Sequence, residues 1–208
     1  MHRRLRFPLA CALAVVAACS SQRVLMPPPI DLSAFGTIGL FELSAPLGSD
    51  LGRRAASELM AGIHAAQPGT PILEIHDHGP YAPPLAPAVL DPDALRAIGK
   101  RHHVDTLLVG EIASQTVRPG FRVGDDASSI SASADLDGTM TLRLYDTHSG
   151  ATLWTTAVSA CAPLARVALA DGDLSGLGMS DPRGAEQHLL QDLVARATRD
   201  FWPYWVRQ

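Results

Sequence analysis

The 208-residue chain is 47% hydrophobic and 18% charged, with 17 Lys and Arg against 21 Asp and Glu and a net charge of −4. That balance excludes a nucleic-acid partner, which needs a basic surface, and equally a polybasic grip on anionic lipid. The length suits one domain with a full hydrophobic core.

Residues 1–18 read as a leader. Arg3, Arg4 and Arg6 make a basic start, residues 7–18 are apolar, and the tetrad Val16-Ala17-Ala18-Cys19 closes the segment. The apolar stretch contains Pro8 and falls short of the ~20 residues that span a bilayer. The arrangement resembles the bacterial lipoprotein signal, in which Cys19 is acylated on sulfur (palmitate is one such chain) and becomes the new N-terminus. Ser20 follows the cysteine where inner-membrane retention favours Asp, so the expectation is outer-membrane anchoring with the protein facing the periplasm. Removing three arginines makes the mature chain more acidic. Cys11 leaves with the leader and Cys19 takes the lipid, so Cys161 remains alone, expected as a small core residue without a disulfide.

Residues 19–34 form the lipidated N-terminus and a Pro-rich tether, and residues 35–208 the periplasmic domain. Pro27, Pro28 and Pro29 favour extended geometry, giving the tether a reach of roughly 50 Å. The domain opens with an apolar strand over 35–43. Leu51, Ala55, Leu59 and Ile63 then recur every fourth residue and mark an amphipathic helix, with Ser49 or Asp50 as N-cap. A short strand covers 71–77, a proline-rich loop 79–90, and Asp91-Pro92 opens a second helix that runs to about His102. Residues 104–112 make a central strand that continues toward Val117, and the Gly, Ser and Asp of 118–134 read as a polar loop. Strands over 139–145 and 151–158 flank a turn at 146–150, where Gly150 is free to take a positive φ. After a Gly-rich stretch, Asp181-Pro182 starts the last helix, with Leu189, Leu190, Leu193, Val194, Ala197 and Phe201 on its apolar stripe. The predicted architecture is α/β, a single three-layer domain with a mixed sheet in the order β-α-β-α-β-β-β-α.

Three segments carry a resemblance to the periplasmic lipoprotein superfamily of CsgG, LpoB and the N-terminal domain of TolB. They are GTIGLFEL with its Phe41-Glu42 pair, AIGKRHHVDTLLVGEI at 97–112, and LRLYDTHSGATLWT at 142–155. The resemblance implies a scaffold or adaptor domain with no catalytic residues and no cofactor, and it brings self-association as in ring-forming relatives. On this reading Gly110, Gly150 and Trp154 have structural roles. The curli channel uses two membrane hairpins per subunit. Here only 113–141 offers one, and GDDASSISASADLDG reads as too polar for a lipid face. The tether is also shorter than that of the peptidoglycan-synthase activator.

Chemical motifs are sparse. His76 and His78 sit at the two-residue spacing that lets imidazoles chelate zinc or copper, with His102 or His103 as third ligand. A polar strand end is the weightier reading of that pair. Asp171 to Gly176 imitates half of a calcium loop, but Pro182 stands where the bidentate acid belongs; Asp135 to Gly138 is weaker still. No nucleophile elbow, phosphate loop or dinucleotide fingerprint occurs. Of the few aromatics, Phe201, Trp202, Tyr204 and Trp205 crowd the C-terminus around Pro203. Trp202, Tyr204 and Trp205 form either a clasp on the domain or a partner-binding patch. The expectation is therefore a non-enzymatic, outer-membrane-anchored adaptor or assembly factor of an envelope machine. A secretion-channel or ring subunit and a periplasmic metal binder are the competing readings.

Overall fold

The computed structural model describes residues 23–45, 50–76, 90–123, 129–170, 173–179 and 181–207, with backbone alone at 114–116, 129–130, 167–170 and 173–179. Residues 1–22, among them the expected leader and Cys19, and residues 77–89, among them His78 and the segment expected as a proline-rich loop, lie outside the described residues.

One six-stranded mixed sheet organises the domain, in the spatial order β3-β2-β4-β5-β6-β7. Its parallel part holds β2 (Ile38–Phe41), flanked by β3 (Ile72–Ile75) and β4 (Thr106–Val123). Two helices make the crossovers, α1 (Leu51–Ala66) from β2 to β3 and α2 (Pro92–His102) from β3 to β4. Because β3 and β4 lie on opposite sides of β2, crossovers of one hand put the two helices on opposite sheet faces. The core divides accordingly. On one face Leu51, Ala55, Leu59 and Ile63 of α1 pack with Leu189, Leu190 and Leu193 of α3 (Pro182–Ala197) over Leu108, Ile112, Met140 and Leu142. On the other face Leu95 and Ile98 of α2 cover Phe41, Leu107, Val109 and Tyr145. Each fully buried Leu or Ile contributes about 1.5–3 kcal/mol, so the two clusters account for the three-layer arrangement.

The predicted helix starts hold, with one difference. Asp91 caps α2 through Ala94 N–H at 2.7 Å, and Asp181 receives the N–H of Arg183. Asp50 precedes α1 without making a side-chain cap, because its carboxylate meets Arg54 Nε at 3.2 Å instead.

The antiparallel part departs most from expectation. β4, β5 (Ser129–Asp146) and β6 (Thr152–Ala170) are long strands, and β7 (Asp173–Met179) joins them. Residues 118–123 and 129–134 are therefore strand, not loop, paired from Arg118 opposite Asp135 to Val123 opposite Ile130. Low β-propensity of Ser, Gly and Asp suggested a loop. The run Ser129-Ile-Ser-Ala-Ser-Ala-Asp-Leu-Asp137 nevertheless alternates polar with apolar, the period of a strand. The Gly-rich stretch after β6 is likewise β7 rather than a connection.

The predicted tether is docked as well. β1 (Arg23–Met26) pairs antiparallel with β8 (Tyr204–Arg207) in a separate two-stranded ribbon. A 3-10 turn, Leu32–Phe35, follows and buries Leu32 in the larger core. Residues 23–34 thus lie against the domain, and the reach they were expected to supply is used for packing.

Candidate functional site: two exposed surfaces

The terminal ribbon is built from the core outward. The stripe of α3 ends at Ala197, and a 3-10 turn, Arg199–Phe201, drives Phe201 into the core against Trp154, with ring centroids 4.9 Å apart. Trp154 is buried, as a structural residue should be, and its indole N–H donates to Asp200 Oδ2 at 3.2 Å. Gln67 at the end of α1 then ties the two termini together. Its amide nitrogen donates to the carbonyls of Ile30 at 2.6 Å and Phe201 at 3.1 Å, and its oxygen accepts from Leu32 N–H at 2.8 Å.

Pro203 ends helical geometry, and β8 emerges with Tyr204, Trp205, Val206 and Arg207 all exposed. Phe201 alone of the four C-terminal aromatics is buried; Trp202, Tyr204 and Trp205 stay open, Trp205 at 63%. Directly opposed pairs share a face, so Leu25 with Trp205 and Arg23 with Arg207 make one face of the ribbon. Val24 and Met26 alternate with Arg23 and Leu25 and are half-buried, so the Arg-Leu-Trp-Arg face is the outward one. A groove of about 460 Å³ beside it is lined by Pro29, Arg199, Asp200, Trp202, Pro203 and Tyr204.

The second surface is the sheet extension. Val117 stands opposite Leu136, whose side chain reaches the helix-covered core, so Val117 lies on that same face. Val117, Phe121 and Val123 follow at even spacing and are exposed, Phe121 at 72%. The other face is polar, with Arg118 paired to Asp137 at 2.6 Å. Cys161 stands opposite Asp137 and is exposed, which corrects its expected place in the core. β2 covers β4 only over Thr106–Leu108, and Ser44 bridges to Glu111. Among the described residues, the side of β4 away from β5 beyond that bridge and the side of β7 away from β6 have no strand partner.

The metal constellation does not assemble. His76 is exposed with Nε2 3.9 Å from Glu74, His102 stands edge-on to Phe41, and His103 ends α2 with φ 54°. Among the described residues no group of three His, Cys, Asp or Glu is close enough to hold an ion. Of the calcium-like loops, Asp171 and Gly172 lie outside the described residues, Asp173 to Gly176 fall in β7, and Asp135 to Gly138 in β5.

A further cavity of about 390 Å³ is lined by Arg96, Gly99, Lys100, His103, Val104, Asp105, Thr147 and His148. Its walls are held by structural bonds. Asp105 Oδ2 accepts Thr37 N–H at 2.8 Å, and the Thr147 hydroxyl is shared between the carbonyls of Val104 and Asp105. Among the described residues no helix is long and apolar enough to cross a membrane.

No family profile matches the chain, and no curated protein does. Solved structures do resemble it. A PelC dodecamer from Paraburkholderia phytofirmans is 14% identical with a TM-score of 0.47, covering 88% of this chain and 96% of its own. The protein CT253 from Chlamydia trachomatis is 13% identical with a TM-score of 0.44, over 79% of this chain and 97% of its own. Lipoprotein GNA1162 from Neisseria meningitidis is 11% identical with a TM-score of 0.40, over 78% and 98%. These three are not the curli-secretion, LpoB or TolB proteins to which the sequence segments point; the likeness is one of fold, to bacterial proteins that include a named lipoprotein.

Proposed function

We propose that the chain is a lipid-anchored, non-enzymatic protein of the bacterial envelope, held at the outer membrane by acylated Cys19. It works from the periplasmic side as an adaptor or assembly factor. The sequence support for the anchor is the basic start, apolar stretch and Val16-Ala17-Ala18-Cys19 tetrad. The observation that carries the adaptor role is the sheet extension, with its exposed Val117, Phe121 and Val123 and two unpaired edges.

Its partner is a second copy of this chain. β4 to β7 are successively antiparallel, so the β4 edge of one copy can continue the sheet at the β7 edge of the next, again antiparallel. Long bare edges are templates for such pairing. A head-to-tail contact of this kind closes into a ring when the rotation allows. Light scattering on the detergent-solubilised lipoprotein tests it. An oligomer is expected, and Val117→Asp/Phe121→Asp, which puts carboxylates on the apolar face, shifts it to monomer. A folded wild-type protein that stays monomeric at micromolar concentration overturns the reading.

One observation favours a secretion-channel subunit as the second reading. The extension contains two hairpins, β4–β5 and β6–β7, where the sequence offered one, and β5 alternates polar with apolar residues. Its outer strands, such as Thr116–Val123, are a little shorter than the about 9–11 residues of a tilted membrane strand. Conductance of purified protein in planar bilayers supports it; an oligomer that never conducts removes it and leaves the adaptor reading.

A further inference from the structure

The outward face of the β1–β8 ribbon sets two arginines directly across from one another, Arg23 and Arg207, beside the exposed pair Leu25 and Trp205. Like charges at opposed positions destabilise a strand pair. Neither guanidinium has an ion-pair partner among the described residues. Among the described residues the ribbon therefore carries two unpaired positive charges at one end, on a protein whose overall charge is negative. Trp and Leu next to Arg is also the combination that settles at a headgroup boundary, apolar body inward and charge at the phosphates.

Chain length adds the second argument. Arg23 follows Cys19 by four residues, which span at most about 14 Å when extended. With the sulfur of Cys19 acylated in a leaflet, the Arg23–Arg207 end of the ribbon stays within about 14 Å of that sulfur, close enough to meet the headgroups.

We infer that the Arg23-Leu25-Trp205-Arg207 face is a membrane-docking surface, seated on the anionic phospholipid headgroups of the leaflet that holds the acyl chains. It rests on the reading of Cys19 as the lipidated residue. The acyl chains hold the protein in the leaflet, and the ribbon adds a charged and aromatic contact at its headgroups. It also orients the domain. The two arginines are drawn to the leaflet while the net negative remainder is repelled, so the domain stands on its joined termini.

The test uses the full lipidated protein, reconstituted in phosphatidylethanolamine vesicles with and without phosphatidylglycerol, carrying either plain or brominated acyl chains. Mass spectrometry of the same preparation reads the acyl groups on Cys19. In brominated vesicles the emission of a Trp202→Phe background, whose exposed tryptophan is Trp205, is expected to fall, and adding Trp205→Phe to remove most of that loss, since Trp154 is buried in the core. Arg23→Gln/Arg207→Gln is expected to reduce the quenching and abolish its dependence on phosphatidylglycerol. Circular dichroism keeps folding separate from docking, and Trp205→Phe retains an aromatic ring if the arginine pair proves structural. An acylated, folded protein whose emission is the same in both lipids overturns the docking surface alone. A protein that carries no acyl group overturns the anchor beneath it. Quenching that is absent while Trp205→Ala dissociates an oligomer assigns the face to a second copy and also overturns the inference.

Discussion

Trp154 on β6 donates its indole N–H to the carboxylate of Asp200 at 3.2 Å, joining the middle of the sheet to the turn from which the exposed aromatics emerge. Asp200 in turn offers its carbonyl to Ile30 N–H at 3.1 Å, so the bond lies on a continuous path from core strand to N-terminal segment. Trp154→Phe keeps an aromatic ring at the site and removes the donor. Urea unfolding is expected to show a loss of about 1–2 kcal/mol. Adding Asp200→Ala to that variant should cost less than Asp200→Ala alone, because the two residues share one interaction.

Gln67 makes a sharper prediction about the termini. Its amide donates to two carbonyls, and a carboxylate in its place donates to neither. Gln67→Glu is expected to cost about 1–3 kcal/mol, since two acceptors lose their donor. Hydrogen exchange should rise over residues 23–35 and 204–207 and stay unchanged in β4 and β5, if the amide is what holds the ribbon down.

Gly150 sits at φ 77° in the turn between β5 and β6, and a Cβ there would meet Pro92 Cβ at 2.7 Å. Gly150→Ala therefore meets both left-handed strain and a clash. A loss of about 1–2 kcal/mol in denaturant unfolding is expected. A variant as stable as wild type would show that the turn relaxes freely.

Asp146 in the same turn is held below the usual carboxylate range by the His148 N–H and then the Ser149 hydroxyl. Its folded value lies under its unfolded one, so its contribution to stability is present above about pH 4. It is lost as pH falls through the lower folded value. Asp146→Asn is expected to be less stable than wild type at neutral pH, with the two curves converging below about pH 4. Unfolding midpoints across pH 2–7 check the direction.

The parts of the fold legible in the sequence were those ruled by local periodicity. Leu51, Ala55, Leu59 and Ile63 announced α1, Asp91-Pro92 and Asp181-Pro182 announced the starts of α2 and α3, and the turn at Asp146–Gly150 announced a hairpin. The extension at 118–134 stayed hidden because Ser, Gly and Asp are the residues of loops as often as of polar sheet faces. Only pairing with β4 and β6 chose between the two.

Spacing along the chain was enough for the α/β class, the alternation of elements and the burial of Phe201, while the structural place of Trp154 was implied by the family resemblance. Tertiary structure decided what the surfaces are. The clustering of Trp202, Tyr204 and Trp205 was visible in the chain, but their exposure depends on β8 pairing with a strand about 180 residues away in the numbering, at Arg23–Met26. No local signal encodes such a contact, since strand pairing between distant segments is set by the loop closure and packing of everything between them. The same holds for the two bare edges of the sheet. The β4 edge is open because β2 ends at Phe41 while β4 runs on to Val123, and the β7 edge because β7 is the last strand of the sheet among the described residues; only the assembled sheet turns either into an open edge.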